Sequence, residues 1–258
     1  MEISDLDDGL NKGVSPSDIV DVNSLMARRE GFAKGAKGGL NGDVYVVSTL
    51  SNSGPGSLRE ALKLGIPLWI VFKVSGEIVV ESRLPKVPSH TTIDGRNSCI
   101  TLTNSGLMII GLHKDIEPND SKWRVTLHHN YFADNTIQRH PRVSQGFVHM
   151  YNNVVLWKLY GVASFDRAQL VMDRNYFIAP ESDNRIGTQH HHGGTTVRGY
   201  EIPDGLIDSR EDQSVNDAII EENWSAGEKP DYPFDAWPTT TRNMIRIVAG
   251  AGAQRSQL

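Results

Sequence analysis

The stretch from Arg124 to Phe177 contains three copies of one short pattern: Val125-Thr-Leu-His-His-Asn130-Tyr-Phe132, Val148-His-Met-Tyr-Asn-Asn153-Val-Val155 and Leu170-Val-Met-Asp-Arg-Asn175-Tyr-Phe177. Each copy alternates apolar and polar residues, which is the period of a β-strand. The asparagines at 130, 153 and 175 recur every 22 to 23 residues, a spacing typical of stacked repeats. One strand pattern per short repeat predicts an all-β, single-stranded solenoid, the parallel β-helix.

The repeated asparagine is predicted to be a corner residue of each turn. Asparagine tolerates the left-handed backbone conformation, and its amide could hydrogen-bond to the asparagine of the next turn. Of the neighbours His128 and His129, we expect one to face the interior and the other the outside. His129 is then a structural residue rather than a catalyst.

Three segments are predicted along the chain. Residues 1–30 are a polar N-terminal leader or cap, residues 31–180 the β-helix, and residues 181–258 a loop-rich C-terminal strap packed on it. Ser57 and Glu60 have the spacing of a capping box, so residues 57–64 predict a short helix that caps the open end of the solenoid. The repeat starts at Ile70, because Ile93 follows after 23 residues, and it breaks near residue 111.

Composition excludes some classes of partner. The 258 residues carry a net charge of −5, so neither nucleic acid nor a membrane surface is expected to bind. The single Cys99 excludes an internal disulfide. The acidic N-terminus is not a signal peptide, so the protein is intracellular or the start of a precursor is absent from the sequence. The glycines at 31–42 predict a close-packed turn rather than a phosphate loop, because no Gly-Lys-Ser/Thr follows.

The loop Thr136-Ile-Gln-Arg139-His140-Pro-Arg142 is the strongest candidate for chemistry. Packing in a β-helix gives no reason for two arginines and a histidine around a proline. Three consecutive histidines at 190–192 point to alternating sides of an extended chain, which favours a solvated loop over a metal site.

At these residues the chain resembles the pectate lyases of polysaccharide lyase family 1, the plant-type branch in particular. The resemblance covers residues 31 to about 178, with a fainter match near residues 232–253. It rests on Gly31-Phe-Ala to Tyr45-Val-Val47, Pro67-Leu-Trp-Ile-Val-Phe72, Thr92-Ile-Asp-Gly-Arg96, Arg124-Val-Thr-Leu-His-His-Asn-Tyr-Phe132, Gln138-Arg-His-Pro-Arg142 and Val148-His-Met-Tyr-Asn-Asn153.

The resemblance implies a right-handed parallel β-helix that cleaves de-esterified (1,4)-α-D-galacturonan of pectin by calcium-dependent β-elimination in the cell wall. Ca²⁺ would bridge the substrate carboxylate and acidify the C5 proton. Arg139 would be the base, and Arg142 and His140 would bind substrate. A guanidinium is normally protonated, so such a base needs a cationic neighbourhood, which Arg142 could supply in part. We expect a monomer.

The sequence also departs from the family. Ser144 stands where the family has a further arginine. The stretch with the family's calcium ligands and a substrate-binding lysine has no counterpart, so several rungs are missing near residue 111. Asp204-Gly-Leu-Ile-Asp208 repeats the calcium motif elsewhere, and its carboxylates could bind Ca²⁺ or lie on a solvated turn. Further acidic candidates that no motif places are Asp94, Asp115, Glu117 and Asp120.

Three hypotheses follow from these residues. The first is a pectate lyase with Arg139 as base. The second is a shortened, catalytically impaired relative that binds acidic polysaccharide through the Arg139 and Arg142 loop without cleaving it. The third is a truncated product that folds poorly, because removed rungs must leave the solenoid in register.

Overall fold

The structure, a computed structural model, describes residues 1–250 apart from positions 33, 97, 104–107, 112–123, 134–136, 159, 166–167, 180–194, 198–204, 217, 219 and 221. The described residues fall into two compact units. The first contains Met1–Arg29 and Lys34–Ser105, and the second contains Glu30–Ala33 and Gly106–Ala251.

The first unit contains six strands. They are β1 (Gly9–Asn11), β2 (Asp43–Val47), β3 (Leu68–Phe72), β4 (Gly76–Val79), β5 (Thr91–Ile93) and β6 (Ile100–Thr103). One sheet has the order β1-β2-β3-β5, and β4 pairs with β6 in a second. Strand β1 is antiparallel to β2, and the other pairs are parallel. Ile70 pairs with Ile93, as the 23-residue spacing predicts.

Two helices accompany this sheet, α1 (Val22–Ala27) and α2 (Leu58–Lys63). The predicted N-cap of α2 is confirmed, since the Ser57 side chain accepts a hydrogen bond from the Glu60 amide at 3.2 Å. Leu58, Ala61 and Leu62 of α2 pack into the same core cluster as the buried β3 residues Leu68 and Ile70, so the helix covers the interior of this unit.

The N-terminal residues pack on the first unit's sheet. Leu6 and Val22 share a core cluster with Trp69 of β3. Ser15 caps a one-turn 3-10 helix at Pro16–Asp18, and Asp21 caps α1. The glycine-rich turn before β2 is close-packed, because a Cβ on Gly39 would lie 1.9 Å from the Leu68 carbonyl oxygen.

The second unit is a parallel β-helix with three four-stranded sheets. Its strands are β7 (Ile109–Gly111), β8 (Arg124–His128), β9 (Tyr131–Phe132), β10 (Arg142–Ser144), β11 (Phe147–Tyr151), β12 (Val154–Leu156), β13 (Val162–Phe165), β14 (Gln169–Asp173), β15 (Tyr176–Ile178), β16 (Thr195–Val197), β17 (Leu206–Arg210) and β18 (Gln213–Val215). The sheet orders are β7-β10-β13-β16, β8-β11-β14-β17 and β9-β12-β15-β18. We call them the first, second and third sheets of the solenoid.

Repeats of the sequence lie in register in the second sheet. Val148 pairs with Val125 and with Leu170, and Leu170 pairs with Ile207. These four residues pack in one core cluster inside the solenoid. The predicted fold class is confirmed, and a further rung, β16 to β18, lies beyond residue 180.

The asparagines form a ladder at the corner between the second and third sheets, and Asn153 and Asn175 in it are fully buried. Asn130 Nδ2 donates to Asn153 Oδ1 at 2.9 Å, and Asn153 Nδ2 donates to Asn175 Oδ1 at 2.9 Å. Asn175 Nδ2 donates to Asp212 Oδ1, also at 2.9 Å. Burial raises the pKa of Asp212 to about 7. The left-handed corner residue is the one before each asparagine, as at Asn152 with φ 49°. The predicted amide contact is therefore confirmed, whereas the predicted left-handed position is wrong by one residue.

A strap of residues 222–240, followed by helix α3 (Thr241–Gly250), packs against the second and third sheets. The Tyr232 hydroxyl contacts Thr126 Oγ1 at 2.9 Å and His149 Nδ1. The Asn152 side chain binds both backbone groups of Trp237, at 2.6 and 2.8 Å. The strap is therefore fixed by side chains on the outer face of the second sheet.

Replacing Tyr232 with phenylalanine is expected to destabilise the strap. The change keeps the ring but leaves the buried His149 Nδ1 without its hydroxyl partner, which costs about 1–2 kcal/mol of unfolding free energy. Urea unfolding of the two proteins measures the difference. A Tyr232→Phe variant that unfolds at the wild-type urea midpoint would argue against this role of the hydroxyl.

Asn223 covers the outer edge of β17. Its Oδ1 accepts from the Ile207 amide at 2.8 Å, and its Nδ2 donates to the Gly205 carbonyl at 3.1 Å. The backbone amides of Asn223 and Trp224 both donate to the Ile207 carbonyl at 3.1 Å. Asn223 and Trp224 thus supply the bonds that a further strand would make there.

No helix in the described ranges is long and apolar enough to cross a lipid bilayer.

Candidate functional site

The arginine loop, residues 137–142, leads into β10 of the first sheet. The backbone of Met108 hydrogen-bonds to the backbone of both arginines of the loop. The Met108 amide donates to the Arg139 carbonyl, and the Met108 carbonyl accepts from the Arg142 amide, each at 2.9 Å. On the other side, Gln138 forms a parallel bridge with Tyr160. The loop is therefore fixed between two rungs.

Arg139 is half-buried and has a left-handed backbone with φ 72°. Its Nε is buried and has no hydrogen-bond partner within the described part of the chain. Unsatisfied buried donors are uncommon in folded proteins. Arg139 thus combines a strained backbone with an unused donor, a combination that is frequent at functional sites.

Arg142 lies on the outer face of the first sheet. It pairs with Ile109 of β7 and Ala163 of β13, and the next residue, Val143, points into the core cluster. Because successive side chains of a strand alternate, Arg142 projects away from the interior. Ser144, where the resemblance expects an arginine, has only 8% of its surface exposed.

His140 occupies the solenoid interior, which differs from the substrate-binding role expected from sequence. It is 0% exposed, and its ring stacks on Phe132 with centroids 5.6 Å apart. Neither ring nitrogen has a hydrogen-bond partner among the described residues. Burial lowers the pKa of His140 to about 4, so the ring is neutral at pH 7. We assign it to packing under the arginine loop.

Replacing His140 with leucine is expected to make the protein more resistant to acid. The folded state keeps the imidazole neutral down to about pH 4, whereas the unfolded chain binds a proton below its ordinary pKa of 6.5. The unfolded state therefore gains protons first as the pH falls from 6.5 to 4, and the wild type loses on the order of 3 kcal/mol that leucine would not lose.

Urea midpoints at pH 7 and pH 4.5 measure this difference. His90→Gln, at an exposed position, is the control and should follow the wild type. If the leucine variant loses as much stability as the wild type between the two pH values, the burial of a neutral His140 is contradicted.

The two candidate calcium ligands that the structure describes, Asp208 and Asp94, are engaged by other groups. Asp208 is 4% exposed, and its Oδ2 accepts from Arg210 Nη2 and the Ala226 amide, both at 2.7 Å. Asp94 accepts from Arg96 Nη2 at 2.6 Å and from the Trp69 indole at 3.1 Å. The other acidic candidates, Asp204, Asp115, Glu117 and Asp120, and the histidines at 190–192, lie outside the described residues.

Across the described ranges, no group of three or more His, Cys, Asp or Glu side chains is arranged to hold a metal ion. Ca²⁺ needs six to eight oxygen ligands. The described residues therefore do not fit the calcium ion that the family resemblance implies.

Sequence reasoning missed a buried polar network on the outer face of the second sheet. His149 Nε2 contacts Asp173 Oδ2 at 2.8 Å, and the same ring contacts the Tyr232 hydroxyl. The repeat places His149 and Asp173 on the outer face of adjacent strands, so this pair was detectable from the sequence. No local signal marks Tyr232, which is 83 residues away from His149.

The histidine pair of the first repeat also differs from expectation. His128 faces outward and stacks on Tyr151 at 4.9 Å, while His129 is a left-handed corner residue with φ 54° that contacts Trp237 at 4.2 Å. The prediction that one of them faces the interior is wrong, because the strand ends at His128. Burial lowers the pKa of His129 to about 4, so this corner is uncharged at pH 7.

Comparison with known proteins gives consistent matches. Residues 91–199 match the sequence model of the pectate lyase family. Probable pectate lyase 4 of Arabidopsis thaliana is 26% identical over 232 residues, covering 58% of this chain and 62% of the relative. Pectate lyase 1 of Ambrosia artemisiifolia is 39% identical over 95 residues, covering 35% of this chain and 24% of the relative.

The pectate lyase of Zinnia elegans is 24% identical over 249 residues, covering 59% of this chain and 61% of the relative. The chain thus spans less than two thirds of the length of these relatives. The alignment with the Arabidopsis protein is 232 positions long, but it includes only 58% of the residues of this chain. The Arabidopsis protein therefore has residues within the aligned region that have no counterpart here.

Two solved structures share the fold. The cedar pollen allergen jun a 1 superposes with a TM-score of 0.61 at 21% identity, covering 93% of this chain and 97% of the allergen. The pectate lyase Bsp165PelA of Bacillus sp. N165, solved with trigalacturonate, has a TM-score of 0.50 at 16% identity, covering 87% of this chain and 99% of the enzyme.

The chain is a parallel β-helix protein with an arginine loop beside the first sheet of its solenoid. It is similar in sequence to the pectate lyases, and residues 91–199 match the sequence model of that family.

Proposed function

We propose that the protein is a pectate lyase that cleaves de-esterified (1,4)-α-D-galacturonan by β-elimination, with Arg139 as the base. The observation that supports this most is the arginine loop. It lies within the family match, projects Arg142 outward and leaves the Arg139 Nε without a partner among the described residues. Because the polymer belongs to the cell wall, we propose an extracellular site of action.

The proposed β-elimination requires from the protein a base and positive charge near the substrate. Arg139, in its neutral form, takes the C5 proton of a galacturonate residue. The electron pair of that bond forms the C4–C5 double bond as the C4–O bond breaks. The departing oxygen takes a proton, and the new chain end is a 4,5-unsaturated sugar. Arg142 contributes positive charge that favours binding of the anionic substrate.

A second candidate function is binding of the same polymer without cleavage. The specific observation that favours it is the lack of a metal-holding group of side chains in the described part of the chain, together with the pairing of Asp208 and Asp94 to arginines. Such a protein would use the same arginine loop as an anion-binding surface.

Ultraviolet absorbance of the unsaturated product on polygalacturonate distinguishes the two functions. The wild-type protein is assayed with added calcium, with a chelator and with neither. Product in any of these conditions supports the lyase, and its loss with the chelator supports a calcium requirement. No product from a cooperatively folded protein that binds the polymer would overturn the lyase and leave the binding protein.

A further inference from the structure

Lys158 lies one rung away from the arginine loop. It follows β12 and the core residue Trp157, which is 2% exposed, so Lys158 projects to the outside. The Lys158 amide donates to the Ile137 carbonyl at 3.2 Å, and the His140 amide donates to the Gly161 carbonyl at 2.7 Å. Lys158, Tyr160 and Gly161 thus lie beside the arginine loop, with Tyr160 paired to Gln138.

This register places Lys158 close to Arg139. Neighbouring strands lie about 4.8 Å apart and residues rise about 3.3 Å along a strand, so the backbones of Lys158 and Arg139 lie within about 10 Å. Lys158 is exposed, and no ion pair engages it in the described part of the chain. Its ammonium is available to an anion that also reaches Arg139.

We propose that Lys158 binds the carboxylate of a galacturonate residue adjacent to the one at Arg139, and so gives the protein a preference for consecutive de-esterified residues. This inference rests on the proposed recognition of galacturonan. A methyl ester at the adjacent sugar removes the negative charge and with it the ion pair. Lys158 then acts on the choice of polymer and not on the elimination itself.

The expected effect is moderate, because the ion pair is exposed to solvent. Replacing Lys158 with methionine should weaken binding of fully de-esterified polygalacturonate by about three- to fivefold at low salt, and much less at high salt. Binding of highly methyl-esterified pectin should change little, so the ratio of the two affinities falls. Lys158→Arg, which keeps the charge, should restore most of the ratio.

Isothermal titration with these two polymers tests the proposal, at a temperature where no unsaturated product accumulates. Lys63→Met is the matched control, since it removes the same charge from an exposed helix position in the first unit. An affinity ratio that falls in Lys158→Met but not in Lys63→Met supports the proposal.

An unchanged ratio in Lys158→Met, with wild-type binding intact, overturns the role of Lys158 alone. A wild type that binds neither polymer overturns the proposed function as well. Because Lys158 is exposed, the variant should keep the wild-type unfolding midpoint, so a lower ratio reports on recognition.

Discussion

Replacing Arg139 with alanine is expected to lower the rate of unsaturated product formation on polygalacturonate by about a thousandfold. Removal of a general base typically costs 10²- to 10⁴-fold, and the outward Arg142 cannot take the same proton from its position on β10. The backbone should tolerate the change, because alanine and arginine meet the same strain at φ 72°. The measurement is the initial rate at saturating substrate, compared with binding of the same polymer.

Two other substitutions make this result specific. Arg142→Ala should weaken binding more than it lowers the rate at saturation, since its proposed role is to hold the substrate. Arg246→Ala removes a distant arginine that lies over the Trp237 ring at 4.2 Å, and it should leave the rate unchanged. If the Arg139 variant keeps a tenth or more of the wild-type rate, Arg139 is not the base.

Replacing Asn153 with leucine is expected to lower the free energy of unfolding by about 3–5 kcal/mol. Its side chain accepts from the Asn130 amide and Nδ2, and it donates to the Leu127 and Tyr151 carbonyls and to Asn175 Oδ1. Leucine has a similar volume but satisfies none of these buried groups, and each unpaired group costs about 1–3 kcal/mol.

Asn130→Leu is the matched control for the ladder. Asn130 lies at its end and is only half-buried, so its replacement should cost about 1 kcal/mol. Urea unfolding of both variants, with the slope checked for two-state behaviour, gives the comparison. Equal losses would mean that the interior of the ladder is no more important than its end.

Local repetition explains how much of the fold the sequence predicts. Pairs such as Val125 with Val148 follow from the spacing of like residues, because a one-residue slip would turn every apolar side chain outward. The N-cap Ser57 is likewise a local signal, carried within one turn of helix. These features needed no knowledge of distant parts of the chain.

Long-range pairing and corner geometry explain what the sequence did not predict. The inward position of His140 depends on where the loop turns before β10, and alternation cannot be counted through a loop. The contact of His149 with Tyr232 joins the solenoid to the strap across many residues. Likewise, the Asp208 carboxylate accepts a hydrogen bond from Arg210, its neighbour on the same face of the strand. The sequence of the Asp204–Asp208 motif alone does not predict this contact.

Asn223 has a consequence for how the protein behaves at high concentration. An exposed strand edge at the end of a solenoid is a template on which another molecule can add its own strand, and repetition of that step would build a filament. Asn223 and Trp224 already bind the Ile207 amide and carbonyl on that edge. The same side chain that completes the second sheet therefore also acts against self-assembly of the protein through β17.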